Sequence, residues 1–375
     1  MKPKTLLLYT SLIILAHPLH AEVLNVCGTV GGFEHPIIHD ANSQNTVSVH
    51  DINGLQQALD NGETNIYIPG DAVIKLPYIK DGLDIPDNVV IYSDRGVNGS
   101  KGALLKVDYI DEKQHYFPII TTGNNVKLTG MRIQGPVSNI DTNVLTIGVQ
   151  NKVDTVGLVV ENNEIYGWGG GAVSVKKGQN VLVRNNYIHH NRKKSRGYGV
   201  VVQNGNSSAS IFCNVFDSNR HSIAGSGQEG ESYTASYNVI LEEGNGHSFD
   251  MHESSVSPGV GGQSIRVINN WFAFGGTKWG HYPSIIIRGV PLDGAAEIIS
   301  NSFRSPFEYI DAGGRVKRAI EGVVGAIETD LELKEKNDYS VPMVFRKNVD
   351  SCYLDILEPS QSIPVACQAI SSYLN

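Results

Sequence analysis

The sequence predicts an all-β protein, a solenoid of the parallel β-helix type built from stacked coils. The first observation is a repeated phrase, an asparagine followed by any residue and then an apolar residue, at Asn163, Asn186, Asn214, Asn238, Asn270 and Asn301. Its spacings of 23, 28, 24, 32 and 31 residues are typical of stacked supersecondary units. The second is that the apolar stretches beside each phrase, such as GLVVENN and SIRVINN, are short, β-branched and bounded by Gly or Asn. They indicate strands rather than repeated helices.

In a parallel β-helix each strand hydrogen-bonds to its counterpart in the next coil. The recurrent asparagine is therefore expected at an inward turn position, where its amide can bond to the coils on both sides. The other all-β architectures fit less well, because a propeller repeats at about 40 residues or more and a sandwich has no such period.

The N-terminus predicts export. Lys2 and Lys4 precede the apolar run 6–16, and Ala21 offers a small residue for cleavage, so residues 1–21 are expected to be a signal peptide. We therefore expect a secreted protein, periplasmic or extracellular. No later run approaches the roughly 18 apolar residues of a membrane span, so no membrane partner is expected. A net charge of −8 argues against nucleic acid as a partner. We expect a monomer.

The repeat sets the predicted boundaries. Residues 22–64 form an N-terminal segment and cap, in which DINGLQQALDNG (51–62) has the pattern of a short amphipathic helix capped by Asp51. Residues 65–310 form the β-helix. No clear copy of the asparagine phrase follows residue 310. Residues 311–375 are therefore expected to be a C-terminal cap and tail that covers the end of the solenoid.

Cysteines predict disulfides, which export permits. The chain has four, Cys27, Cys213, Cys352 and Cys367, so three connectivities are open. We pair Cys352 with Cys367 first, because they flank a short proline-containing tail.

A second recurring segment sets the strand register. It reads GAVSVK (171–176), YGVVVQ (198–203), HSIAGS (221–226), HSFDMH (247–252) and PSIIIR (283–288). Its third and fifth positions are nearly all apolar and should face the core, since successive side chains of a strand point to opposite faces. The residues expected to be buried are Ile223, Phe249, Met251, Ile285 and Ile287. The fourth and sixth positions should then face outward, and they hold Asp250 and His252.

The outward row brings together side chains that suit a site. Coils stack about 4.8 Å apart, which should place Arg288 one coil from His252 and Lys176 about three coils away on the other side. Ala224 and Ser226 are small and leave room for a ligand. The first position of the segment holds Tyr198, His221 and His247, which either point into the groove or pack in the turn.

The predicted helix, the IYIPGDAVIKL start and the asparagine coils resemble the pectin-lyase-like right-handed parallel β-helix superfamily over roughly residues 50–310. Within it, FDMHE (249–253) resembles the FDPHE or FDPHD motif of mannuronan C5-epimerases and related polysaccharide lyases. The resemblance implies that Asp250 and His252 lie in an active site. Met251 replaces the proline of the motif, and His247 stands where the family has tyrosine. Arg288 and Lys176 are counterparts of the family's arginine and lysine by their place in the outward row of the aligned segments, not by a sequence motif.

The residues and the resemblance favour an enzyme that removes the proton α to the carboxyl of a uronate in an acidic polysaccharide, a lyase or a C5-epimerase. Neutral histidine suits the base, and Lys or Arg suits the substrate carboxylate. The predicted catalytic residues are His252, Asp250, His247, His221, Arg288, Lys176 and Tyr198, the first as base. The predicted substrate-binding residues, three of them in the basic loop HHNRKKSRGYG (189–199), are His190, Arg192, Arg196, Gln203, Arg220 and Glu253.

Alternatives remain open. A glycoside hydrolase needs two carboxylates, and Asp250 has no outward carboxylate partner in the aligned rows. A non-catalytic glycan-binding or adhesive solenoid would show an aromatic groove, but Trp168, Trp271 and Trp279 do not share a row. HSFDMHE could also be a polar edge without function. No cofactor and no metal ligand are predicted, although calcium held by Asp250 and Glu253 is an alternative.

Overall fold

The protein is a parallel β-helix. The computed structural model describes residues 27, 30–32, 45–107, 116–137, 144–241, 244–273, 282–311 and 313–341, and the backbone of the strands Val344–Phe345 and Leu354–Asp355. Along the coils the chain visits three sheets, C, A and B, in turn, and each strand pairs in parallel with its counterpart one coil away. The predicted fold class is confirmed.

The strands are short and fall into three long sheets. Sheet A has ten strands: Val47–Ser48, Asn65–Tyr67, Val90–Tyr92, Lys127–Thr129, Val159–Glu161, Val181–Arg184, Ser207–Phe212, Glu231–Ser236, Ser264–Ile268 and Glu297–Ile299. Sheet B has nine: Val73–Lys75, Leu104–Lys106, Arg132–Gln134, Glu164–Tyr166, Tyr187–His189, Val215–Asp217, Val239–Ile240, Trp271–Phe272 and Ser302–Phe303. Sheet C has nine: Leu83–Ile85, Pro118–Thr122, Ile147–Asn151, Gly171–Lys176, Tyr198–Gln203, His221–Gly225, Phe249–Met251, Ile285–Ile287 and Ile320–Gly322.

In the described part of the chain, the remaining elements are two helices, one 3-10 turn and two antiparallel strand pairs. The helix α1 (Ile52–Asp60) begins at Asp51, whose side chain accepts a hydrogen bond from the Gly54 N–H, as the sequence predicts. The helix α2 (Asp330–Lys336) begins with a capping box between Thr329 and Glu332. Val97–Gly99 is a 3-10 turn, and the pairs Glu308–Ile310 with Val316–Arg318 and Val344–Phe345 with Leu354–Asp355 are antiparallel. No helix among the described residues is long and apolar enough to cross a membrane.

The recurrent asparagines form a ladder, which confirms their predicted role. All six are buried, and the backbone N–H of each donates to the Oδ1 of the next at 2.9–3.0 Å. Each Nδ2 also donates to a main-chain carbonyl about one coil back, for example from Asn186 to Val160. The ladder ends at Asn337, which accepts from Asn301 and was not predicted. Its sequence, Asn-Asp-Tyr, carries a weak form of the phrase.

The parallel sheets extend past the predicted boundaries at both ends. Val47–Ser48 already pairs with Asn65–Tyr67 in sheet A, and Ile320–Gly322 closes sheet C against Ile285–Ile287. The predicted signal peptide lies outside the described residues.

A disulfide joins Cys27 to Cys213. Beside it Val30 packs with Val215 and Trp271, so the N-terminal segment covers part of the outer face of sheet B. Of the three connectivities only the one that pairs Cys352 with Cys367 is compatible with this bond, but both of these cysteines lie outside the described residues.

Candidate functional site

The predicted register of sheet C is confirmed. Ala224 pairs with Asp250, and Asp250 pairs with Ile286, so the aligned segments stack in the predicted rows. The five residues predicted to be buried are 0 % exposed, and Phe249 packs edge-on against Phe272 in the core. Asp250 lies between Phe249 and Met251 and therefore projects from the other face of the sheet.

Asp250 faces outward, as predicted, but its side chain is covered. It is 0 % exposed. It is nevertheless outside the apolar core, because its carboxylate accepts two hydrogen bonds from Arg288, from Nε to Oδ1 at 2.8 Å and from Nη2 to Oδ2 at 2.9 Å. The strand alternation determined the direction of the side chain correctly. It does not determine exposure, because a long neighbour such as Arg288 can fold back over the preceding coil.

The pair of Asp250 and Arg288 is ionised. Burial raises the pKa of the Asp250 carboxyl, but the hydrogen bonds from Arg288 and the charges of His221, His252 and Arg288 outweigh burial and leave that pKa below its ordinary value. The same hydrogen bonds raise the pKa of Arg288.

Two histidines, His221 and His252, lie near the same oxygen of the Asp250 carboxylate. The Nε2 of His221 lies 3.3 Å from Asp250 Oδ2, and the Nε2 of His252 lies 3.5 Å from it. They differ in access, since the side chain of His221 is 0 % exposed and that of His252 is 40 % exposed. His252 is therefore the histidine that a ligand can reach.

The first row of the segment forms an aromatic stack on the outer side. Tyr198 stacks on His221 with 5.7 Å between ring centroids, His221 stacks on His247 at 5.8 Å, and Tyr282 meets His247 edge-on at 4.9 Å. Tyr198, His221 and His247 are all buried, and His221 lies beside Asp250. Tyr282 was missed, although it directly precedes the PSIIIR segment.

Backbone carbonyls fix the tautomers of two histidines. His221 Nδ1 lies 2.6 Å from the carbonyl oxygen of His247, and His247 Nδ1 lies 3.2 Å from that of Pro283. A carbonyl oxygen only accepts, so both Nδ1 atoms carry the hydrogen. The His221 Nε2 is buried and has no hydrogen-bond partner among the described residues.

All three histidines are poor proton binders here. Burial lowers the pKa of His221 to about 3 and that of His247 to about 4, despite the opposing charge of Asp250. Burial also lowers the pKa of His252, Asp250 raises it, and the charges of Arg288, Arg220 and Arg196 lower it further. The imidazoles are neutral at neutral pH.

Two more arginines adjoin the stack. The Arg220 guanidinium carbon lies 5.9 Å from the centroid of the Tyr198 ring, and Arg196 Nη1 donates to the Tyr198 hydroxyl at 3.4 Å. Neither arginine forms an ion pair with a carboxylate in the part of the chain that the structure describes. The site therefore carries an excess of positive charge, as an anionic ligand requires.

Other predicted residues lie elsewhere. Lys176 stands three strands from the His252 strand in sheet C, about 14 Å away at the usual spacing. His190 contacts His189, which pairs with Glu164 on sheet B, and Arg192 Nε donates to the Ser218 carbonyl.

The last two predicted ligand contacts are engaged with other groups. The carboxylate of Glu253 accepts a hydrogen bond from the Gly259 N–H. The carboxylate of Asp250 is held instead by Arg288. Gln203, in the outward row, donates to the Ser174 hydroxyl at 2.7 Å and contacts the hydroxyl of Tyr116 at 3.4 Å. It stands two strands from the His252 strand.

Among the described residues, His221, Asp250 and His252 also form a group whose donor atoms lie within 4.8 Å of one another, a spacing that can suit a metal ion. The donor set of two imidazoles and a carboxylate favours a transition metal over calcium. Arg288 already holds both oxygens of Asp250, and the charges of Arg196 and Arg220 oppose a dication.

Comparison with known proteins bears on the fold. Residues 119–279 match the family described as the right handed beta helix region. The match covers less than half of the chain and agrees with the parallel β-helix that the structure shows. The matched segment holds His221, Asp250 and His252, and its handedness is the one predicted. No curated protein has a sequence that matches the chain.

Three solved structures are among those similar to this chain. The alginate lyase from Paenibacillus sp. strain FPU-7 is 15 % identical over 69 % of this chain and 86 % of its own, with a TM-score of 0.46. The Dettilon tailspike protein is 14 % identical over 86 % of this chain and 74 % of its own, at 0.44. The Agl-KA catalytic domain is 16 % identical over 78 % of this chain and 57 % of its own, at 0.45. Similarities of this size do not bear on activity.

Proposed function

We propose that the protein is an exported enzyme that acts on an acidic, uronate-containing polysaccharide and removes the proton α to the carboxyl, as a lyase or a C5-epimerase. One observation carries the proposal. A neutral, accessible imidazole, His252, stands beside a buried carboxylate, Asp250, in a cluster with excess positive charge. Removing a proton next to a carboxylate requires this combination of a base and cations.

His252 suits the base. If its Nε2–H is directed at Asp250 Oδ2, its Nδ1 carries the lone pair and can accept the proton. The 3.5 Å separation is longer than a hydrogen bond, and such contacts often tighten when substrate binds. The lowered pKa keeps the base unprotonated at neutral pH.

The second proton-transfer group is Tyr198. His221 and His247 were the other candidates, but each uses its Nδ1–H on a backbone carbonyl and has no second proton at neutral pH. The Tyr198 hydroxyl has a proton to give, and the neighbouring Arg196 would stabilise the phenolate left behind. Protonation of the leaving oxygen gives elimination, and protonation of the opposite ring face gives epimerisation.

Two further features support the proposal. The disulfide between Cys27 and Cys213 suits an oxidising compartment and therefore export. A hydrolase would need a second working carboxylate. The carboxyl of Glu231, which is fully buried near the site, is engaged with the N–H groups of Gly205 and Gly227 and with the Ser226 hydroxyl.

The test is proton exchange at C5. The protein is incubated in D₂O with a panel of acidic polysaccharides, and deuterium at C5 is followed by NMR together with the ultraviolet absorbance of unsaturated uronates. Deuterium incorporation without absorbance indicates epimerisation, and absorbance indicates elimination. Both signals should vanish in His252→Ala. New reducing ends without either signal would contradict the proposal and indicate hydrolysis.

A further inference from the structure

The cluster contains three arginines, and their contacts differ in a way that separates their roles. We propose that Arg220, rather than Arg288, receives the carboxylate of the substrate. The inference rests on the proposed function for the identity of the anion, and it deepens that function by naming the residue that selects a charged sugar.

Arg288 is committed to the protein itself. Its Nε and Nη2 bind the two oxygens of Asp250 at 2.8 and 2.9 Å, in the bidentate geometry that suits a guanidinium and a carboxylate. The pair has no net charge. A substrate carboxylate that approached Arg288 would have to compete with Asp250, which is fully buried and could not regain hydration.

Arg220, in contrast to Arg288, has no carboxylate partner among the described residues. Its Nη1 is buried and has no hydrogen-bond partner among those residues either. A buried donor without a partner is costly, and in native structures such a group is paired with ordered water, an ion or a ligand. A carboxylate satisfies both the unpaired charge and the unpaired donor.

The position of Arg220 fits the reaction. It directly precedes His221 in the chain, and its guanidinium lies over the ring of Tyr198, the proposed second proton-transfer group. Its charge acts on His221, His247 and His252 together. A carboxylate on Arg220 would therefore lie next to the proposed acid and close enough to act electrostatically on the proposed base.

The placement has a consequence for the base. The charged and titratable groups that face His252 are Asp250, Arg288, Arg220, Arg196 and His221. Arg220 is one of the cations that lower the pKa of His252. When a substrate carboxylate neutralises Arg220, this lowering effect is removed. His252 then becomes a stronger base when the substrate is bound.

Binding tests the assignment. D-glucuronate and its neutral counterpart D-glucose are titrated by NMR into the full chain and into Arg220→Gln, Arg220→Lys and the control Arg266→Gln. Arg266 pairs with Glu297 on sheet A, away from the cluster. We expect Arg220→Gln to weaken glucuronate binding about tenfold or more, the usual effect of losing a charged hydrogen bond, with Arg220→Lys between it and the parent protein. Arg266→Gln should bind as the parent does.

A second readout separates a binding role from a structural one. The NMR titration of His252 should move to higher pH when glucuronate is added to the parent protein, and it should not respond to glucuronate in Arg220→Gln. Equal glucuronate affinity in the parent protein and Arg220→Gln would overturn the inference, and so would equal binding of glucuronate and glucose by the parent. Loss of C5 exchange on every polysaccharide, with glucuronate still bound through Arg220, would instead refute the proposed function alone.

Discussion

Two substitutions on one strand should have opposite effects, because neighbouring side chains face the core and the site. Phe249 is fully buried, lies in register with Ile223 and Ile285, and packs edge-on against Phe272 with ring centroids 5.0 Å apart. Phe249→Ala should lower the free energy of unfolding by about 3–5 kcal/mol through the cavity that it leaves. Activity per folded molecule should stay near that of the parent.

His252→Ala should do the reverse. The His252 side chain is 40 % exposed, and its Nε2 lies 3.5 Å from Asp250 Oδ2, too far for a strong hydrogen bond. The substitution should therefore change the free energy of unfolding by less than about 1 kcal/mol. Turnover should fall by about 10²–10⁴, the usual contribution of a general base.

Both variants are compared by urea unfolding and by C5 exchange per folded molecule, with Lys336→Ala as a surface control. Lys336 lies on α2, far along the chain from the cluster, and pairs with Glu328 at the surface. If His252→Ala and Lys336→Ala lose activity equally, His252 is not the base. If Phe249→Ala unfolds like the parent, the inward row is wrongly assigned.

Four further predictions concern acid, pH and metal. Tyr198→Phe should lower kcat about 10²-fold or more with little change in KM, and an unchanged kcat would remove Tyr198 from the mechanism. Because the pKa of His252 lies below its ordinary 6.5, kcat/KM should rise with pH to a plateau whose midpoint is below pH 6.5, and an acid limb centred above that value would contradict a neutral base. The folded-state pKa values of about 3 for His221 and about 4 for His247 lie below the 6.5 of the unfolded chain, so the unfolded chain takes up protons first as the pH falls. Urea unfolding should therefore show full stability above about pH 6.5 and a progressive loss of stability towards pH 4. A free energy of unfolding that does not change with pH would mean that these histidines are protonated in the folded protein. EDTA should leave activity unchanged, and a loss that Zn²⁺ restores would show that His221, Asp250 and His252 hold a metal.

The fold could be predicted because a solenoid repeats local patterns. The asparagine phrase, the short β-branched runs and the alternation of HSFDMH each report a contact with the next coil. Aligning them gives the observed pairing of Asp250 with Ala224 on one side and with Ile286 on the other. The ladder residue Asn337 was missed because its phrase follows a helix rather than a strand.

Parts of the site could not be predicted, because they depend on features that strand alternation does not encode. His190 was expected beside the site, but it follows the strand Tyr187–His189 in the left-handed region at φ 54° and contacts His189. The burial of Asp250 depends on the path of the Arg288 side chain across a coil. Arg220 was predicted to bind substrate, but its unpaired Nη1, which distinguishes it from Arg288, is visible only in three dimensions.

Burial is the main reason why the histidines of the cluster stay neutral beside an aspartate. The carboxylate of Asp250 acts in the other direction and raises their pKa values. Arg288 binds both oxygens of Asp250, and its charge opposes that effect at His247 and His252. Arg196 and Arg220 are then left without a carboxylate, and they act on the His252 pKa in the same direction as burial. In the proposed mechanism the ionised pair of Asp250 and Arg288 lies beside the ring of His252 without protonating it, and the guanidinium of Arg220 is the proposed place for the substrate carboxylate.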